Sequence, residues 1–351
     1  VPAFDEAAGA VEPVDGSAAA AARERHAKLT KPPGSLGRLE DAGARLSAVA
    51  RTCPPPVPEP AAVAVFAGDH GVLAQGVSPW PKEVTAQMVA NFLAGGAAVN
   101  VLARHVGASV TVVDVGVASE LEPGPGLLIR KVRRGTADLS KGPAMSEGET
   151  KSALDAGTEV AADLVDAGAR CLLTGDMGIG NTTPSAALIA ALTGRPAALV
   201  TGRGTGIDDD RLETKRAVVA AAADRAAGLP PLAVLASVGG LEIAALAGYI
   251  VGGAASGVPV VLDGVIACAA ALCAVALVPD AAGYVFAGHR SSEPGASVAL
   301  AELGLDPLVD LDLRLGEGTG ACLALPSLQA AAKILREMAT FESAGVSSSG
   351  A

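Results

Sequence analysis

The sequence predicts an α/β fold, a mostly parallel, doubly wound sheet with helices on both faces. Three observations predict it. Short apolar runs recur and end in glycine or polar turns: Ala61 to Ala67, Val110 to Val117, the run from Cys171 up to Gly175, Pro259 to Asp263 and Tyr284 to Ala287. Ala- and Leu-rich segments of helical length separate them, and the order strand, glycine turn, helix calls for parallel strands. Finally, half of the 351 residues are hydrophobic but only 2% are aromatic, and 43 are glycine, so the interior must be built from small aliphatic side chains at close backbone spacing.

In chain order, a loose start gives way near Ala18 to a helix through Ala27. The Lys31-Pro32-Pro33 approach is extended, and the region of Ser35 begins a helix with Leu39, Ala42, Leu46 and Val49 on one face. Five prolines between Pro54 and Pro60 form a connector that separates this N-terminal helical piece from the sheet. The strand Ala61 to Ala67 ends in Gly68-Asp69-His70-Gly71, and residues just past strand ends line the ligand crevice of open α/β sheets. A stiff loop with Trp80 precedes helices over Glu83 to Phe92 and Ala97 to His105. Ala118 to Gly142 reads as irregular, and Ser146 to Glu149 as a capping box before a helix to Ala167. The strand from Cys171 runs through Gly175, Gly178 and Gly180 into Asn181-Thr182-Thr183-Pro184 and a helix. Ala233 to Ser237 reads as a further strand, and the C-terminal helix as Pro326 to Met338. No internal repeat is detectable.

Composition narrows the function. A formal net charge of -11 argues against a nucleic-acid surface, and the cluster Arg130 to Arg134 reads as an exposed strand edge or loop. Five cysteines without a C-x-x-C pair fit a reducing, cytoplasmic setting. No signal-peptide pattern is seen. The uncharged run Ile243 to Leu262 is long enough to span a membrane, yet its internal glycines and Pro259 favour a buried helix, a turn and a strand.

Backbone N–H groups and a helix N-terminus converge at Gly175 to Thr183, a place suited to an anion such as a phosphate; the alternative is a tight turn that binds nothing. Walker A, a G-x-G-x-x-G fingerprint, a G-x-S-x-G elbow and paired histidine ligands are all missing from the sequence. Asp208, Asp209 and Asp210 are read as a helix cap. What remains are carboxylates at strand ends: Asp69, Asp176, Asp263, Glu293 and Glu317. Glu317 stands between glycines that leave it uncovered, and in a partly apolar cleft its pKa would rise far enough for a general base. A metal-assisted phosphohydrolase using Asp69, His70, Asp208 and Asp209, and a non-catalytic nucleotide-binding module, are the alternatives.

The motifs Lys31-Pro-Pro-Gly-Ser-Leu-Gly-Arg-Leu-Glu40, Gly68-Asp-His-Gly71, Gly76-Val-Ser78, Val84 to Val89, Asp114-Val-Gly-Val117, Gly178-Ile-Gly-Asn-Thr-Thr183, Gly202-Arg-Gly-Thr-Gly206, Leu262-Asp-Gly264, Gly288-His-Arg-Ser291 and Leu315-Gly-Glu-Gly-Thr-Gly320 occur in one order over about 290 residues. Together they resemble the nicotinate-nucleotide:dimethylbenzimidazole phosphoribosyltransferases of cobalamin nucleotide-loop assembly. The resemblance implies a Rossmann-like sheet with a smaller lobe from both chain ends: 1–60 and 326–351 as lobe, 61–325 as main domain. It implies transfer of 5-phosphoribosyl from nicotinate mononucleotide to 5,6-dimethylbenzimidazole or a related base, with inversion, giving α-ribazole 5′-phosphate and nicotinate. It implies no metal or other cofactor, a homodimer, no nucleic-acid partner and no membrane span. Glu317 matches the catalytic glutamate. By the same matching, Ser78, Trp80, Gln87, Met88 and Leu315 wall the base. Gly175, Asp176, Met177, Gly178, Ile179, Gly180, Asn181, Gly202 and Lys215 hold the phosphate, and Asp263 and Ser291 lie near the ribose. Asp176 stands where family members often carry the longer Glu, and Trp80 where others can have a different aromatic.

Overall fold

Six strands form one parallel sheet in the computed structural model, which describes residues 2–347; Val1 and the end of the 326–351 segment, 348–351, lie outside the described residues. The strands are β1 (Ala61–Gly68), β2 (Ser109–Gly116), β3 (Leu127–Ile129), β4 (Cys171–Met177), β5 (Val260–Leu262) and β6 (Val285–Ala287). Their order is β3-β2-β1-β4-β5-β6. The chain winds outward from β1 in one direction and from β4 in the other, so the switch point of the sheet falls between these two strands. There the loops leaving adjacent strands part to opposite faces and open a crevice at the carboxyl ends.

The two central strands are buried on both faces, and their residues are mostly apolar, with Thr174 and Asp176 of β4 as the exceptions. All eight residues of β1 and all seven of β4 are buried, in register from Ala61 opposite Cys171 to Ala67 opposite Met177. Such strands read as continuous hydrophobic runs rather than alternating ones. The helix Leu241–Ala255 covers one face and is buried from Leu241 to Ala254. It is pressed against the helix Glu147–Asp166 so closely that a Cβ on Gly157 would stand 1.7 Å from the Ala245 carbonyl oxygen, and one on Gly248 2.0 Å from that of Leu154. Backbone-to-backbone packing of this kind is how a chain with few aromatics fills its interior. The apolar run Ile243 to Leu262 is thus a buried helix, a turn and β5. By length and composition, Glu83–Val106 is the one described stretch apolar enough to cross a membrane. It is interrupted at Gly95-Gly96 into the helices Glu83–Leu93 and Ala98–Val106.

Several local expectations are corrected. Ala233 to Ser237 is not a strand but part of the helix Pro231–Val238. A short apolar run does not distinguish the two, whereas Pro231 at the first helical position favours helix. The loose N-terminus contains a helix, Ala3–Ala10, and the irregular segment contains the edge strand β3. The C-terminal helix begins at Thr319 rather than Pro326 and runs to Glu337, with Pro326 inside it. Its first turn is fixed from outside: the Asp263 carboxylate accepts from the backbone N–H of Gly318 at 3.1 Å, Gly320 at 2.7 Å and Ala321 at 3.1 Å. These are donors that a helix start otherwise leaves unpaired.

The helix Thr319–Glu337 packs against Arg38–Ala50 and Gly16–Lys28, and Leu29 bridges to Thr340, so residues from the two chain ends meet. The capping box of Ser146 and Glu149 forms, and Asp208 caps the helix Asp209–Ala226 by accepting from the Arg211 N–H. Every cysteine is a free thiol.

Candidate active site

Past the end of β4 the chain turns through Gly178-Ile179-Gly180-Asn181 into the helix Thr182–Thr193. Gly180 takes the left-handed conformation the turn requires, at φ +87°. The turn is closed by hydrogen bonds from Asn181 N to Gly178 O at 3.0 Å and from Thr183 N to Gly180 O at 3.1 Å. Thr85 steadies it from the helix Glu83–Leu93, its hydroxyl accepting from Ile179 N at 3.2 Å.

Across from this turn lies the loop before Thr319, in which Gly316, Glu317 and Gly318 have φ of +82°, +67° and +99°. Glu317 is the residue for which this conformation is unfavourable, and it persists because the flanks are pinned. Asp263 holds one side, and Gly175 of β4 holds the other by lacking a side chain, since a Cβ there would stand 2.6 Å from the Glu317 carbonyl oxygen.

Between turn and loop is a cavity of about 80 Å³, lined by Val77, Ser78, Asp176 to Thr182, Thr205, Leu315 and Glu317. Glu317 is 6% exposed, and Oε2 of its carboxylate has no partner. Burial lifts its pKa from the usual range to about 7, the Val99 N–H opposing and Asp263 reinforcing the shift. Asp176 is pushed well above the ordinary carboxylate range by burial, helped by the charges of Asp263, Glu242 and Glu317 and opposed by the Asn181 amide, which donates to it at 2.9 Å. Behind the turn, Lys215 is fully buried and donates to the Thr182 hydroxyl at 2.8 Å and the Gly202 carbonyl at 2.9 Å. Burial lowers its pKa to about 8, against the pull of Glu293. The site therefore joins a carboxylate that changes charge near neutral pH to a glycine turn with one ammonium behind it, an arrangement suited to moving a proton beside an anionic group.

Residues 11–346 match the family described as Phosphoribosyltransferase. The nicotinate-nucleotide–dimethylbenzimidazole phosphoribosyltransferase of Salinispora tropica is 58% identical, over 98% of this chain and 99% of that protein. The protein of the same name from Chloroflexus aurantiacus is 56% identical, over 96% of each. The crystal structure of CobT from Thermus thermophilus superposes with a TM-score of 0.92 at 53% identity, covering 94% of this chain and 99% of that one. The chain belongs to the nicotinate-nucleotide–dimethylbenzimidazole phosphoribosyltransferase family. It is a phosphoribosyltransferase of cobalamin synthesis, with the α/β fold of that family.

In this transferase the cavity gathers Ser78, Asp176, Met177, Gly178, Ile179, Gly180, Asn181, Leu315 and Glu317 of the residues singled out from sequence. The others lie around it. Trp80 is 51% exposed and outside the lining, as are Gln87, which is exposed, and Met88, which is half-buried. Gly175, Lys215, Asp263 and Ser291 are buried behind the cavity, and Gly202 is half-buried. The Asp263 carboxylate is occupied by the loop, the Ser291 hydroxyl accepts from Glu293 N at 3.3 Å, and a Cβ on Gly202 would collide with Glu293 Oε2 at 2.2 Å. Sequence reasoning missed Val77, Thr182 and Thr205 in the lining, Thr85 as a prop, and Glu242. Val77, Thr85, Thr182 and Thr205 all lie inside motifs that carry the family resemblance, whereas Glu242 lies in none. Of the acidic groups considered for a metal, Asp69 accepts from Ala118 N at 2.7 Å, Asp208 is a cap and Asp209 pairs with Arg203 at the surface. Among the described residues no cluster of three or more potential ligands is placed to hold a metal.

Proposed function

We propose that the cavity binds nicotinate mononucleotide with 5,6-dimethylbenzimidazole or a related base and transfers the 5-phosphoribosyl group with inversion, Glu317 acting as general base. The buried Glu317 carboxylate, facing the cavity with a pKa raised to about 7 and opposite the Gly178–Asn181 turn, is the observation that carries this reading. The names of the relatives supply the substrates. One ring nitrogen of the base attacks C1′ from the face opposite nicotinate. The bond from C1′ to the nicotinate nitrogen breaks, and its electron pair returns to the pyridine ring. The proton on the second ring nitrogen passes to Glu317. The products are α-ribazole 5′-phosphate and nicotinate.

The phosphate is assigned to the backbone of Gly178 to Asn181 at the start of Thr182–Thr193, with the Lys215 charge behind Thr182. Asp176 is assigned to the ribose side, and Ser78 and Leu315 to the base, with Trp80, Gln87 and Met88 on the outer rim. At about 80 Å³ the cavity is well below the ~300–1,000 Å³ of ligand pockets, so binding requires outward movement of its exposed wall at Leu315. A homodimer in the cytoplasm, with 1–60 and 326–351 as a lobe beside 61–325, belongs to the same proposal. The test is incubation with nicotinate mononucleotide and a panel of bases, following nicotinate release. Release that depends on the base is expected, and no release with any base overturns the reading.

A further inference from the structure

His70 and Glu242 are 172 residues apart in the chain and meet in the interior, His70 Nε2 lying 2.5 Å from Glu242 Oε1 with neither side chain exposed. The transfer chemistry described above leaves them without a task. What encloses them is backbone. A Cβ on Gly178 would stand 3.1 Å from His70 Nε2 and 3.3 Å from Glu242 Oε1; one on Gly240 would stand 2.5 Å from His70 Cε1 and 2.8 Å from Glu242 Oε2; one on Gly68 would stand 3.0 Å from Glu242 Oε2. The ends of β1 and β4 and the start of Leu241–Ala255 thus each bring a glycine against the pair. Gly178 also lines the cavity, so the pair lies directly beneath its floor. From Gly178 the connection to the site is short: its carbonyl accepts from Asn181 N at 3.0 Å, and the Asn181 amide donates to Asp176 at 2.9 Å.

We propose that His70 and Glu242 form a buried imidazolium–carboxylate pair that positions the transfer site, bracing the Gly178–Asn181 turn and holding the charge state of Asp176, and through it that of Glu317, above it. The charges around His70 explain why a cation belongs there. Asp69 acts on it from just past the end of β1 and Glu242 from the first helical turn after Gly240, while Glu242, with Asp263 and Glu317, acts in turn on Asp176 at the end of β4. Burial opposes the charged imidazole, but the attraction and hydrogen bond of Glu242, with the attraction of Asp69, reverse the balance and raise its pKa. Without that cation, Glu242 faces Asp176 uncompensated and makes it harder to ionise, and because Asp176 and Glu317 repel each other their titrations are coupled.

Two experiments test this, one on the unaltered protein. In histidine-labelled protein, nitrogen NMR is expected to show the His70 imidazole doubly protonated at pH 6.5, the ordinary midpoint of a histidine; a neutral His70 at that pH overturns the proposal. In the second, the pH dependence of kcat/KM for nicotinate release is compared between the parent, His70→Gln and Glu242→Gln. His70→Gln is expected to move the acidic limb upward by about one pH unit, whereas Glu242→Gln, which removes both charges together, moves it little or downward. Unchanged limbs in folded variants, whatever the loss of rate, reduce the pair to packing and overturn the proposal. Where the variants do not fold, the NMR result decides alone. Only the pH arm rests on Glu317 as base: full turnover in Glu317→Gln would sink that reading and leave the NMR arm standing.

Discussion

The turn Gly178–Asn181 and the loop Leu315–Gly320 face each other across one cavity with similar composition and do opposite work. The turn has a single left-handed glycine, closes its own hydrogen bonds and lines the cavity with backbone. The loop runs through three successive left-handed residues, one of them Glu317, and is held from behind by Asp263. A left-handed non-glycine residue costs roughly 1–3 kcal/mol, which the three N–H bonds to Asp263 offset. Glycine in the turn lets backbone approach a ligand, while glycine in the loop presents one side chain.

Breaking the loop is expected to have the largest effect. Glu317→Gln lowers kcat by about 10²–10⁴-fold while nucleotide affinity, read by calorimetry, stays near the parent value because the turn is intact. In the parent, the base must be ionised, so kcat/KM rises about tenfold per pH unit below about 7 and levels off above it, a limb missing from Glu317→Gln. Asp263→Asn weakens the anchor without emptying the space; stopped assays are expected to show kcat down by roughly 10–100-fold through misplacement of Glu317. Because Asp263 contributes to the raised pKa of Glu317, the remaining activity has its acidic limb at lower pH. Weakening the turn instead, Lys215→Met raises the KM for the nucleotide about tenfold, equivalent to about 1.4 kcal/mol, with kcat nearly unchanged. Equal losses in kcat for Lys215→Met and Asp263→Asn would erase the distinction between the two elements. Trp80→Ala is expected to change the KM for the base least, by less than about twofold, as for an exposed side chain outside the lining.

Much of this was legible in the sequence because glycine and proline mark it locally. β1 announces itself as an uninterrupted apolar run and β4 begins as one, and the turn after β4 and the Gly-Glu-Gly loop are each contained in a few consecutive residues. Glu242 was not legible: beside Gly240 at a helix start it reads as a dipole complement, and its partner His70 is far away in sequence. Thr85 likewise looks like any buried threonine until Ile179 is placed beside it. The helix Pro231–Val238 was mistaken for a strand because a short, wholly buried helix has no polar face to reveal its period. The edge strand β3 has three residues, too few for alternation to show.

The helix Thr319–Glu337 starts two residues after Glu317 and ends among the helices of the N-terminal segment. Its 19 residues make a rod of about 28 Å, with the carboxylate at one tip and the chain ends at the other. A tilt of about 2° about the far tip carries the near one about 1 Å, a displacement that costs catalysis about a hundredfold. Whatever loads the distant end of this lever, whether a substitution near Leu335 or a second polypeptide, is felt at the reacting centre without touching it.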